Sequence, residues 1–333
     1  MRSIRYIACF LIAMSFAARA QAAEYKKLAQ TGFQFLSVET DARAAAMAGA
    51  MTTVANGSGA LFHNPAVMAF MPTSVDVAIN YNRWIADINH YSASLAFSPA
   101  NHKYGTFGFS WHYVDYGEMQ GALPWANDKG YIKTETFNPS AIMVGVGYAK
   151  ALSAKFSVGA QLKYVGQQLG YSAVQLGDAN DSLSVRKYKQ FAAAFDFGTL
   201  FKTGWKSLAF GMSVRNFSNE IQYETESFQL PLTFCMGVSM NLLDMLPAVP
   251  EMHVLSFALD AVHPRSYPEY LNIGMEYSYK NLLSLRYGYM GNRDERTSSF
   301  GFGIHISGIQ FDYSYIPFGV FDETQNCTLR FDL

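Results

Sequence analysis

Seven histidines are scattered through the chain, and none has the spacing of a metal site such as His-Glu-x-x-His. No Gly-x-Ser-x-Gly elbow presents a nucleophile. Ser110 with His112, and Ser299 with His305, could meet as nucleophile and base; polar side chains bonded to water are the simpler reading. No cofactor motif is present, so the chain reads as neither an enzyme nor a cofactor or metal carrier. What the sequence does concentrate is charge at a fixed phase. Asp76, Lys163, Asp196, Arg215, Glu276, Arg286, His305, Asp312, Arg330 and Asp332 all fall on the polar phase of alternating segments. Inside a narrow interior such charges must pair or stay wet. The candidate interior charges Asp76, Lys163, Arg215, Glu276, Arg286 and Arg330 are therefore expected to cross-link opposite walls and to tether whatever fills the space between them. A selective pore is the functional alternative.

The elements that place these charges are short strands. Side chains alternate across a strand, so apolar residues two apart share one face. In Tyr104–Val114, Phe107, Phe109, Trp111 and Tyr113 lie on one side, and Thr106, Gly108, Ser110 and His112 on the other. The same alternation marks residues 75–81, 90–98, 141–150, 156–164, 191–197, 208–215, 228–242, 255–261, 271–279, 283–289, 300–306, 309–315 and 327–333. About fourteen strands, greasy outside and polar inside, describe an antiparallel transmembrane β-barrel closed by pairing of the last strand with the first. Connection lengths sort by side. Pro99–Lys103, Ala151–Lys155, Lys202–Lys206, Leu243–Glu251, Lys280-Asn281 and Ser307-Gly308 lie on one side and most are short, while the two longest, Asp115–Pro139 and Gly170–Lys187, face the other way. Short periplasmic turns opposite longer external loops are the expected asymmetry.

Residues 1–22 read as a cleavable signal peptide: Arg2 and Arg5, the apolar stretch Tyr6–Phe16, then Ala20-Gln21-Ala22. Residues 73–333 form the predicted barrel, which leaves 23–72 as a plug or hatch. In that segment Thr40 or Asp41 caps a helix over Ala42–Ala50, and Asn64 caps a second that starts at Pro65. Neither is long enough to be stable alone, so both are expected inside the barrel or across its mouth. Composition agrees: charged residues make up 15% of the chain and aromatics 15%, against about 25% charged in soluble domains. Mean hydropathy is only +0.02, because a barrel hides half of each strand in a polar lumen. A formal charge of −1 gives no footprint for nucleic acid. Cys235 and Cys327 differ in phase, which argues against a disulfide.

The stretch Thr40–Ala69 (TDARAAAMAGAMTTVANGSGALFHNPAVMA) resembles the signature of the PorV/PorQ family of outer-membrane proteins, related to FadL-type barrels. Ala42-Arg43-Ala44, Met47, Gly49-Ala50 and Asn64-Pro65-Ala66 carry it. Ala86-Asp87-Ile88-Asn89, Leu230-Pro231-Leu232 and Asp312–Gly319 match further along. Ala48 departs from the pattern, in which a second glycine is usual. The resemblance implies a fourteen-stranded barrel with an N-terminal plug, located in the outer membrane and associated with type IX secretion. PorV-like members shuttle cargo carrying a C-terminal sorting domain; PorQ-like members sit in the attachment complex. Arg43, Met47, Gly49, Asn64 and Pro65 are the motif residues expected in the plug. The loop Asp115–Pro139 carries Tyr116, Met119, Leu123, Trp125 and Tyr131, an aromatic cluster suited to protein contact or to a lid over the mouth. The expected partners are outer-membrane lipid, secretion-system proteins and secreted cargo. The competing expectation is a FadL-like channel for a hydrophobic small molecule, in which the plug moves.

Overall fold

The computed structural model describes residues 31–333 except 101, 125–126, 176–182, 224–225, 247–249, 251, 293–296 and 322. Its strands in chain order are β1 (Val75–Arg83), β2 (Asn89–Phe97), β3 (Thr106–Asp115), β4 (Met119–Pro124), β5 (Tyr131–Phe137), β6 (Ser140–Ala151), β7 (Phe156–Gln175), β8 (Leu183–Lys202) and β9 (Ala209–Ser218). There follow β10 (Ile221–Gln222), β11 (Ser227–Phe228), β12 (Thr233–Asn241), β13 (His253–Pro264), β14 (Tyr270–Tyr279), β15 (Leu283–Met290), β16 (Ser298–Ile306), β17 (Ile309–Pro317) and β18 (Glu323–Asp332). Fourteen of them close into one antiparallel barrel, while β4–β5 and β10–β11 form small separate sheets. The seam pairs β1 with β18, setting Val77 opposite Phe331 and Ile79 opposite Leu329, so both strands keep their apolar face outward. Outward rings such as Phe107, Phe109, Tyr164 and Phe302 are exposed, as a lipid-facing wall requires.

In the wall and its loops, three elements differ from the sequence expectation. The predicted loop Gly170–Lys187 is largely strand: β7 and β8 stay paired out to Gln175 opposite Leu183. Gly170 reads as a breaker, yet it lies at a register shift with φ +113°, where a bulge lets the ladder continue. The loop Asp115–Pro139 contains the hairpin β4–β5, whose Phe137 ring lies 5.7 Å from Tyr171 on the extension of β7. The long alternation from Phe228 to Leu242 divides at Pro231, which has no N–H to give a ladder; β11 stays at the mouth and β12 begins at Thr233.

The lumen is filled by the chain preceding β1. Helix α1 (Ala42–Ala46) is shorter than the predicted Ala42–Ala50 because Ala48 and Gly49 turn left-handed, with φ of 55° and 77°. The Gly49 N–H donates to Ala44 C=O at 2.8 Å, which closes the helix. Asp41 is its N-cap, accepting from the Ala44 N–H at 3.0 Å. Gly57–Phe62 and Pro65–Phe70 are 3₁₀ turns, the second capped by Asn64. Glycines on the inner wall let this segment seat closely. A Cβ on Gly159 would lie 2.5 Å from Ala66 N, and one on Gly288 would lie 2.4 Å from Ala48 N. At the upper end, Thr31 bridges to Gln229, so this segment starts at the same mouth as the longer loops. Cys235 faces the lumen, Cys327 lies in the opposite phase, and both are free thiols.

Candidate functional site at the barrel mouth

The inward charges meet the plug through a chain of ion pairs. Arg43 on α1 grips Glu276 of β14 with both arms, at 2.6 and 2.8 Å. Glu276 also accepts from Arg286 Nε at 2.5 Å, and Arg286 Nη1 reaches Asp312 at 2.6 Å. Two arginines and two carboxylates thus balance in a water-poor interior, where an unpaired member would be costly. Arg330 bonds Asp41 at 2.9 Å and lies 3.7 Å from Asp76, whose carboxylate accepts from the Ser58 N–H at 2.7 Å. Thr52 donates its N–H and its hydroxyl to Asp260, at 2.9 and 2.6 Å. Lys163 pairs with Asp196 at 2.7 Å where β8 and β9 slip register, and Asn216 donates its N–H to the same carboxylate. Arg215 differs: its Nη1 donates to Phe62 C=O at 2.9 Å, and among the described residues no carboxylate lies within ion-pair distance.

The motif residues sit in this lattice. Met47 is fully buried against Gly274, and Asn64 spans from Thr52 C=O (2.7 Å) to Thr199 C=O (3.0 Å) while Pro65 opens the 3₁₀ turn. Burial pushes the Asp41 carboxyl up, but Arg330 and the Ala44 N–H outweigh it and hold it below the usual aspartate value. His63, 3.5 Å from Glu39, is held below the ordinary imidazole value by burial.

Above the plug lies a cavity of about 490 Å³, bounded by plug residues Phe35 to Glu39 and by Trp84, Ile88, Tyr116, Pro231, Tyr267 and Phe318. A separate small pocket of about 30 Å³ shares the plug residues Leu36 to Glu39 and Arg215 with it. The rim is aromatic, with Trp84 edge-on to Phe318 at 5.2 Å, and the floor carries Arg215, Glu39 and His63. Ile88, Pro231 and Phe318 come from the three later segments that carry the family resemblance, and the fold brings all three to this one cavity.

The described candidate loop residues are spread over the cavity wall and the β4–β5 hairpin. Tyr116 is half-buried at the cavity, and burial raises its hydroxyl pKa. Met119 and Tyr131 are exposed on the β4–β5 hairpin, and Leu123 is half-buried opposite Ile132. Trp125 lies outside the described residues. The Ser/His pairs are not assembled either. Ser299 donates to Ala46 C=O at 2.9 Å, His305 faces Asp332 at 3.2 Å, and His112 bonds His90 at 2.9 Å. Among the described residues no His, Cys, Asp and Glu cluster could hold a metal ion. Trp84, Ile85 and Tyr267 were missed by sequence reasoning. They occupy strand tips, where alternation stops and gives no phase to read.

The family model described as type IX secretion system protein PorV matches residues 21–244. The chain belongs to the PorV family. No curated protein matches it. Among solved structures, this PorV-family chain is similar to the toluene transporter TodX of Pseudomonas putida, with TM-score 0.57, 14% identity, and 88% of this chain and 96% of that one covered. It is also similar to the toluene transporter TbuX of Ralstonia pickettii, with TM-score 0.56, 12% identity and coverage of 88% and 98%. A FadL homologue of Pseudomonas aeruginosa gives TM-score 0.54, 11% identity and coverage of 89% and 99%. At such identity these likenesses concern the fold, an outer-membrane barrel with FadL-like architecture.

Proposed function

We propose that this PorV-family barrel works as a partner-binding component of type IX secretion, with the aromatic mouth cavity receiving a segment of a secreted or surface-attached protein. The observation that carries this reading is the aromatic-rimmed cavity at the mouth. A recess of about 490 Å³ opens among the longer loops and ends on a plug pinned by buried ion pairs. A recess with an aromatic rim above a plug pinned by ion pairs suits the anchoring of a side chain or chain end. Export by the leader 1–22, and an outer orientation of the longer loops, belong to the same proposal. The FadL-like alternative, uptake of an apolar small molecule, draws on the apolar walls of the same cavity and requires the plug to move.

The test is binding of the detergent-solubilised barrel to a purified C-terminal β-domain from a protein secreted by the same cells. Saturable binding that is weakened about tenfold in Tyr116→Ala and in Phe318→Ala supports partner capture. Absence of binding, together with apolar ligand in the purified barrel and its release on plug loosening, would replace it with transport.

A further inference from the structure

The end of the barrel with the shorter turns is electrically lopsided. On the half running from β2 to β9, its connections carry Lys103, Lys155 and Lys206, with Lys150 and Lys202 at the adjoining strand ends, and no Asp or Glu. On the other half, the connections after β12, β14 and β16 carry Asp244, Glu251 and Lys280. Lys202 turns inward, with its ammonium 3.7 Å from the Phe70 ring centroid of the plug. Lys103, Lys150, Lys155 and Lys206 are exposed, and no carboxylate pairs with any of them among the described residues. Beside them Tyr104, Leu152 and Trp205 are 57%, 61% and 53% exposed. Large apolar side chains at turn tips are poorly placed in free water. Trp and Tyr interleaved with Lys belong at the boundary of acyl chains and headgroups. Lys150 follows Tyr148 on the outward phase of β6, a lipid-facing position that a soluble partner beneath the barrel would not cover.

We propose that this half-rim is a docking face for anionic phospholipid headgroups of the periplasmic leaflet. The four ammonium groups, none of them paired with a carboxylate among the described residues, supply the attraction, and Tyr104, Leu152 and Trp205 set the depth. Each lysine near an anionic leaflet strengthens attachment about fivefold, and a Debye length of about 10 Å at 0.1 M salt keeps the effect local. An even ring of lysines would prefer no direction. A half-ring gives the barrel one preferred side toward anionic lipid.

The experiment uses the full barrel in nanodiscs, with Trp205 as reporter in a W84F/W111F/W125F background. Brominated phosphatidylglycerol is compared with brominated phosphatidylcholine as quencher. The expected result is quenching by the anionic lipid at least about threefold stronger, abolished in Lys103→Gln/Lys150→Gln/Lys155→Gln/Lys206→Gln and weakened by 0.5 M salt. Native mass spectrometry of the otherwise unmodified protein, refilled from an equimolar mixture of the two lipids, gives a second reading should the reporter background fail to fold. Equal quenching and equal retention of the two lipids would overturn the proposal. So would lysine-dependent binding of a soluble polyglutamate peptide without lipid preference, which would make the rim a protein-docking face.

Discussion

Replacing Arg43 by methionine keeps most of the stem's bulk and removes its charge. The guanidinium makes two bonds to Glu276, at 2.6 and 2.8 Å, and a third to Ala55 C=O at 2.5 Å. Charge-assisted bonds contribute about 1.5–3 kcal/mol each, but Glu276 retains Arg286 at 2.5 Å, so it is not orphaned. The lower end of the range for a broken buried pair, about 3 kcal/mol, is the expected loss. It falls on plug docking, because the barrel ladder is untouched. About 3 kcal/mol is more than a hundredfold in the docked-to-undocked ratio. Hydrogen exchange of the amides from Ala44 to Met51 should therefore quicken by two decades while β14 and β15 stay protected. Adding Glu276→Gln leaves Arg286 and Asp312 as a balanced pair and should recover most of the loss. Unchanged exchange in the single variant, or no recovery in the double one, would refute the claim that charge balance holds the plug.

Acid should loosen the middle of the plug. Burial lowers the His63 pKa from its ordinary 6.5, so neutral His63 stabilises the docked state fully above pH 6.5 and progressively less as pH falls through the lowered value. Exchange at 58–66 should speed up between pH 7 and 5, and His63→Gln should flatten that slope; Asp41, also lowered, acts only in a more acidic window. Gly159→Val places carbon 2.5 Å from Ala66 N and should displace the Pro65–Phe70 turn at a cost of about 1–3 kcal/mol, seen as faster exchange there and raised single-channel conductance. Phe318→Ala, which removes the ring 5.2 Å from Trp84, should weaken partner binding about tenfold, whereas exposed Met119→Ala should change it less than twofold in the same titration.

The barrel was legible because a two-residue period is imposed by the pleat itself: Phe107, Phe109 and Trp111 declare a face wherever they stand. The inward charges were legible for the same reason, since phase alone places Glu276 and Arg330 in the lumen. Which charge meets which was not, because Arg43 and Glu276 are 233 residues apart and their meeting depends on barrel closure. The extent of β7 and β8 was misread because Gly170 looks the same in a bulge as in a loop. The mouth cavity was hidden because Trp84, Tyr267 and Phe318 come from separate tips that no local pattern connects.

The bridge from Thr31 to Gln229 sets a constraint on how the molecule is made. The chain enters the lumen at one mouth, descends past Arg43 and Asn64, and emerges at the other end into β1, the strand that forms the seam with β18. Threading this stretch into a finished cylinder would carry the charges of Arg43 and Asp41 through the lumen before their partners were reached. Closing the wall around the segment avoids that cost, which suits the segment to act as a mandrel during assembly. In that order β1 seals to β18 last, and Asp41, bonded to Arg330 of the last strand, lies where that final zip is drawn shut.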